Sequence, residues 1–249
     1  MLKFVLLMTV VCGAAAQAIN WCAMQTQYCG TKEHIACEPN SFKMGTNVTD
    51  IQVVSLTTDI KNMIVDRHNY YRRRVASGQE PGLSSASKMR QMFWNDNLAY
   101  VANAHAKHAN FQHDQCRASN EFPYSGQNLA ISWSSQPFIN IQATLQGQVN
   151  SWYDTEMSIV RDRMQSCIDK FTSSPNCLEA GHFTVMVKDS NRACGCAAYT
   201  FRQFMQGNWW YTLMTTCNYA DTNMLNSPIY ARGAACSACS GSCNNGLCA

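Results

Sequence analysis

The chain has 249 residues, enough for one sizeable core with a small appendage rather than several full domains. Its 19 basic and 16 acidic residues leave a formal charge of +3, too small to suggest nucleic acid or a strongly anionic membrane as partner. The 14 cysteines argue against a reducing compartment and for a disulfide framework.

The N-terminus reads as a secretion signal: Lys3, a short apolar run from Phe4 to Val11, and Ala16-Gln17-Ala18 as the cleavage site. Residues 1–18 would then be removed, taking Cys12 and Lys3 with them, so thirteen cysteines and a charge of +2 remain. The apolar run is too short to span a bilayer, and no later segment is long and apolar enough, so a secreted chain without a transmembrane segment is expected. Residues 19–55 hold Cys22, Cys29 and Cys37 and show no sustained periodicity, which reads as a loop-rich leader packed on the body. Asn47-Val48-Thr49 is a glycosylation sequon within it.

Residues 56–225 read as the globular body. Thr57-Thr58-Asp59 is a helix start. Ile60, Met63, Ile64, Arg67, His68, Tyr71 and Val75 follow at helical spacing, and Gly78 ends the run. Arg72-Arg73-Arg74 is the densest basic run and reads as a solvated helix end. A second helix carries Leu98, Val101, Ala102, His105 and Ala109. His68 and His105 fall on these two helices and read as packing or surface residues rather than ligands. A third helix begins after Pro137 and carries Leu145, Val149, Trp152 and Glu156 on one stripe. Strands are expected at His182–Lys188, Gly195–Arg202 and Trp209–Asn218, the first from its alternating apolar run. Helices first and hairpin-like strands late argue an α+β fold. Residues 226–249 form a cysteine-rich tail in which Cys236, Cys239, Cys243 and Cys248 should make two disulfides rather than bind zinc.

Four segments in this order carry a family resemblance: Phe111-Gln112-His113-Asp114-Gln115-Cys116-Arg117, Tyr124-Ser125-Gly126-Gln127-Asn128-Leu129-Ala130, Gly181-His182-Phe183-Thr184-Val185-Met186-Val187, and Cys217-Asn218-Tyr219. Together they resemble the CAP superfamily, and within it the arthropod antigen 5-like secreted proteins of venom and saliva. The resemblance implies an α-β-α sandwich. By analogy it implies the pairs Cys22–Cys37, Cys29–Cys116 and Cys196–Cys217. Cys167–Cys177 is then assigned from what remains, which leaves Cys194 as the free thiol. Cys194 and Cys196 lie two apart on one strand and face the same side, so either could compete for Cys217. The odd count also leaves a disulfide-linked dimer open to an otherwise monomeric chain. The tail resembles the hinge region of cysteine-rich secretory proteins.

The resemblance further implies a cleft in which His113 and His182 meet two acidic positions. One of these is Gln127 here. The other falls on Thr155 or, one residue later, Glu156, which helical spacing can still turn toward the cleft. Two neutral imidazoles suit zinc or copper, yet no cofactor is required for the fold. A hydrolase would need a general base beside a metal-bound water, and Gln127 cannot be one. No Gly-x-Ser-x-Gly elbow and no Arg-Gly-Asp tripeptide occur. The leading expectation is therefore a non-enzymatic secreted protein that binds a small lipid or a host protein. Family members are expected to hold sterols under a loop, or fatty acids and eicosanoids between two helices. Phe122, Tyr124, Trp133 and Phe138 flank an expected turn at Gly126-Gln127-Asn128 and are the candidate ligand-binding residues, with adaptable methionines such as Met89 and Met92 nearby. The alternatives are a metal-dependent redox or hydrolytic activity at His113 and His182, and a general extracellular protein without a toxic role.

Overall fold

A central antiparallel sheet sets the positions of everything else. In the computed structural model, residues 19–249 are described. The signal-like segment 1–18, with Cys12, lies outside the described residues. Strands β1 (Val48–Val53), β3 (Gly126–Ser134), β4 (Ala193–Met205) and β5 (Asn208–Tyr219) lie in the order β1-β4-β5-β3, and the short β2 (Phe93–Trp94) pairs parallel to β4. The β4–β5 hairpin turns on Gln206-Gly207, both at positive φ (50° and 79°), the backbone a two-residue turn of this hand needs. Its ladder runs unbroken from Met205↔Asn208 to Cys194↔Tyr219.

Alternation along β4 loads the two faces differently. Ala198 and Cys196 face a large core shared with helices α2 (Thr58–Ala76), α4 (Ile141–Asp169) and α6 (Gly181–Val187). Ala197 and Phe201 face α3 (Asp96–Ala106), which contributes Ala102 and Ala106. The result is an α-β-α sandwich. The start of α3 lies directly on β4 because Gly195 has no side chain: a Cβ there would sit 2.2 Å from the Ala99 nitrogen and 2.3 Å from the Asn95 carbonyl oxygen.

Four sequence expectations change. His182–Lys188 is not a strand: Gly181–Val187 is the helix α6. A short apolar run does not distinguish a buried strand from a buried helix turn, and here tertiary partners at both helix ends decide. Residues 48–53, read as part of a loop-rich leader, are a strand paired to β4. Residues 126–128 begin strand β3 instead of forming a turn. Arg72, read as solvated, is fully buried. Its guanidinium donates to the carbonyls of Met186 (2.7 Å), Lys188 (2.9 Å) and Arg90 (2.6 and 2.9 Å). Burial pushes its pKa down to about 9. A five-donor fork can satisfy several carbonyls at the C-terminal end of α6 at once, which no other side chain does.

Six disulfides close the described chain: Cys22–Cys37, Cys29–Cys116, Cys167–Cys177, Cys196–Cys217, Cys236–Cys243 and Cys239–Cys248. Cys196 and Cys217 are directly paired residues of the β4–β5 ladder, whereas Cys194 faces Tyr219, so register settles which cysteine takes Cys217. Cys194 is free and wholly buried, and burial raises its thiol pKa to about 12. A disulfide-linked dimer through it would require the sheet to open. The leader docks through Trp21, stacked on Tyr100 and His34, with Met24 and Ile35 packed on Val101 of α3. The tail returns through a small hairpin, β6 (Cys243–Asn244) and β7 (Leu247–Cys248), and Leu247 enters the main core.

Replacing Arg72 with Met should strip a donor from three carbonyl groups, two of which have no other, and cost roughly 3 kcal/mol, with Lys costing less. Denaturant unfolding of the three proteins should rank wild type above Arg72→Lys above Arg72→Met. Equal midpoints for wild type and Arg72→Met would show that the buried guanidinium contributes nothing.

Candidate functional site

The two histidines singled out from sequence are each held by a single acceptor. On α4, Glu156 is buried and turned toward α6. One carboxylate oxygen accepts from His182 Nδ1 (2.5 Å) and, more loosely, from the His182 amide (3.3 Å). The other accepts from the Phe183 amide (2.7 Å). The carboxylate therefore caps the open N–H groups at the start of α6, where negative charge is favoured, and orients the imidazole in the same contact. Trp152, one helical turn earlier, stacks on the His182 ring at 6.2 Å between centroids.

His113 lies in the loop after α3 and donates from Nδ1 to Gln127 Oε1 (2.7 Å). The Gln127 amide cannot be reversed, because its NH2 group donates to Asp114 (2.7 Å) and to Asn218 (3.1 Å). Asp114 in turn is ion-paired to Arg117 at 3.0 Å. This explains glutamine where the resemblance expects glutamate: a carboxylate here would face Asp114 and the Asn218 carbonyl oxygen with nothing to donate. Burial lowers the His113 pKa, and the Arg117 guanidinium nearby disfavours a second positive charge.

A buried polar chain lies behind both. Asn128 donates to the His182 carbonyl (3.2 Å) and to the Tyr219 hydroxyl (3.2 Å). Tyr219 donates to His68 Nε2 (2.8 Å), and His68 Nδ1 donates to the Ile64 carbonyl (2.7 Å). His105 is likewise internal, between Thr216 and the Gln112 carbonyl. Both helix histidines are thus fully engaged packing residues.

The acceptors beside them place a proton on Nδ1 of both site imidazoles, so in its neutral form each ring has its lone pair on Nε2. That donor type suits zinc or copper. The set is incomplete, however: Glu156 and Gln127 are committed to the rings, and among the described residues no group of three His, Cys, Asp or Glu side chains could hold a metal ion.

Between α4 and β3 runs an open groove of about 610 Å³, ending at His182 and Glu156. Leu129, Ile131, Trp152, Ile159 and Phe111 supply its apolar surface, and Gln148, Ser151 and Thr155 its polar one. The four aromatic residues expected to bind ligand do not line it. Phe122 is buried against Leu98 and Ala193, Tyr124 and Trp133 are exposed, and Phe138 borders a separate cavity of about 290 Å³ with Ile141 and Tyr211. Aromatic content drew attention to them, but aromatic residues pack cores and line surfaces as readily as pockets. The missed signal was the run Thr144, Gly147, Gln148, Ser151 and Thr155, small or polar residues recurring at helical spacing on α4. The seam between the long helices α2 and α4 is filled, with Tyr71 stacked on Tyr153 at 4.0 Å and Tyr71 bonded to Asp154.

Comparison with known proteins bears on this geometry. Residues 65–219 match the CAP family, described as the cysteine-rich secretory protein family. The chain belongs to the CAP family. Venom allergen-1 of Aedes aegypti is 31% identical over 223 residues, covering 88% of this chain and 82% of that protein. Venom allergen 5 of Dolichovespula arenaria is 32% identical, covering 86% and 99%. Among solved structures, BmVAL-1 superposes with a TM-score of 0.62 at 23% identity, over 83% of this chain and 98% of that one. NaASP2 with Zn2+ gives 0.60 at 23% identity, over 78% and 96%. These structures share the fold. No helix among the described residues is long and apolar enough to cross a membrane.

His68 makes the CAP domain sensitive to acid. Burial holds its pKa down at about 4 against 6.5 when exposed. The unfolded chain therefore binds the proton first, and stability falls as pH drops from about 6.5 toward 4, by roughly 3 kcal/mol from this residue. In urea titrations across that range, His68→Gln should show a shallower loss than wild type. Parallel curves would place the acid sensitivity elsewhere.

Proposed function

We propose that this protein is a secreted, non-enzymatic binding protein whose groove between α4 and β3 takes a small amphipathic molecule. The observation that carries the reading is the groove itself. Its volume falls in the range of small-molecule sites, its walls are largely apolar, and its carboxylate and imidazole groups, Glu156, Glu179 and His182, gather at one end. A ligand with an apolar body and a hydrogen-bonding head fits that division, with the body along Leu129, Ile131 and Ile159 and the head near His182. The disulfides and the venom-allergen relatives support an extracellular setting. The filled seam between α2 and α4 favours this helix–sheet groove over a slot between those helices.

A second reading is a weakly held metal at His113 and His182. The two Nε2 atoms left without a protein partner favour it, and NaASP2, which shares the fold, has been solved with Zn2+.

Gly147 offers a direct test, because a side chain added there meets nothing within 4 Å and would project into the groove without straining the helix. Titration with a fluorescent long-chain alcohol, whose neutral head suits an end lined by Glu156 and Glu179, should saturate on wild type and weaken at least about tenfold in Gly147→Leu. The groove reading also expects binding to persist in chelator. Equal affinity in Gly147→Leu, or no saturable binding to wild type, would reject the groove reading. Loss of binding in chelator would move the weight to the metal.

A further inference from the structure

One end of the molecule carries almost no charge. Residues 122–153 contain no Asp, Glu, Lys, Arg or His, and residues 193–220 contain only Arg202. The fold brings the middle of the first stretch and the hairpin tip of the second to the same end of the sheet, where Trp133 faces Thr212 and Ser134 faces Tyr211 across β3 and β5. Large apolar side chains are exposed there: Ile139 completely, Trp133 by 48%, Trp209 by 45% and Phe204 by 39%.

Their directions decide what could cover them. Phe204 and Trp209 are paired across the β4–β5 hairpin, and their rings meet at 5.4 Å. Gln203 and Trp210 form the next pair, so they face the opposite side. Trp133 lies with that second pair, bonded through its indole nitrogen to Gln203 (3.3 Å). Exposed aromatic rings therefore project from both faces of one hairpin end. A flat protein partner covers one face of a hairpin, whereas a lipid interface surrounds its tip. Trp and Phe rings settle at the headgroup level of bilayers. The hairpin's ladder and its two-residue turn keep most of its backbone polar groups paired, which entry into an apolar layer requires.

We infer that the hairpin tip around Phe204 and Trp209, with Trp133 and Ile139, docks this protein onto a neutral lipid surface. Charge selects the lipid class. Arg202 lies over the Tyr211 ring, and Asp50 borders the same cavity, so the end offers no excess of positive charge for anionic headgroups. The inference stands apart from the groove reading, although the groove's far end, at Ser132 and Thr144, opens toward the same end of the molecule. Asn47, the sequon residue, accepts from the Phe204 amide at 2.9 Å, so a glycan attached there would flank the tip.

The test is co-flotation of the full secreted chain with phosphatidylcholine vesicles, with tryptophan quenching by brominated lipid as a second readout. The expected result is binding that is unchanged between low and high salt, tryptophan quenching, and partitioning reduced by at least about tenfold in Phe204→Ser/Trp209→Ser. Unchanged thermal unfolding of that variant would show that it folds. Several outcomes would overturn the inference. They are no binding to neutral vesicles, binding only to anionic vesicles and lost in salt, full binding by the folded double variant, or binding only by Asn47→Gln protein. Concentration-dependent self-association abolished by the double variant, without vesicle binding, would assign the patch to a protein interface instead.

Discussion

The Glu156 carboxylate is the contact on which the site depends. It lies within α4, yet its hydrogen bonds go to the first turn of α6 and to the His182 ring. A buried carboxylate needs donors, and the start of α6 needs acceptors, so each group removes the other's desolvation cost. Arg72 does the complementary work at the other end, where the Met186 carbonyl would otherwise lack a donor and the Lys188 carbonyl would keep only the Asn191 amide. A seven-residue helix containing Thr184, Val185 and Val187 has little intrinsic stability. Its position is set by an acid from α4 and a base from α2, which ties His182 to the two longest helices.

That arrangement also explains which parts of the fold could be read from sequence. The helical stripes of α2, α3 and α4 and the β4–β5 hairpin follow from periodicity, because each presents one apolar face to a core. Periodicity failed at residues 182–188, where seven apolar and polar residues fit either period and only distant partners choose. It failed at Arg72 for the same reason. A charged residue among other arginines looks solvated until the carbonyls it serves are known. Strand β1 was hidden in the leader because its pairing partner lies some 150 residues later and its register shifts between Thr49 and Gln52.

Within the candidate site, His113 pairs with Gln127 and His182 with Glu156, each through Nδ1. Sequence alone could not show that Asp114 and Asn218 demand an amide at Gln127, nor that Glu156 acts as a helix cap. The groove was written in α4 as a row of small residues, a weaker mark than the aromatic residues that attracted attention. The CAP relationship accounts for the sandwich. The groove and the uncharged aromatic end are made by individual side chains on that frame, and one fold carries many functions in that way.

The most direct test of the central contact is amide hydrogen exchange on wild type and Glu156→Gln. A neutral amide of the same shape keeps the packing but removes the charge that holds the α6 amides. The account expects protection of residues 182–187 to fall by roughly tenfold or more, with α2 and the β4–β5 ladder unchanged. Protection of α6 equal to wild type would contradict it, because α6 would then hold its place, and that of His182, without the carboxylate.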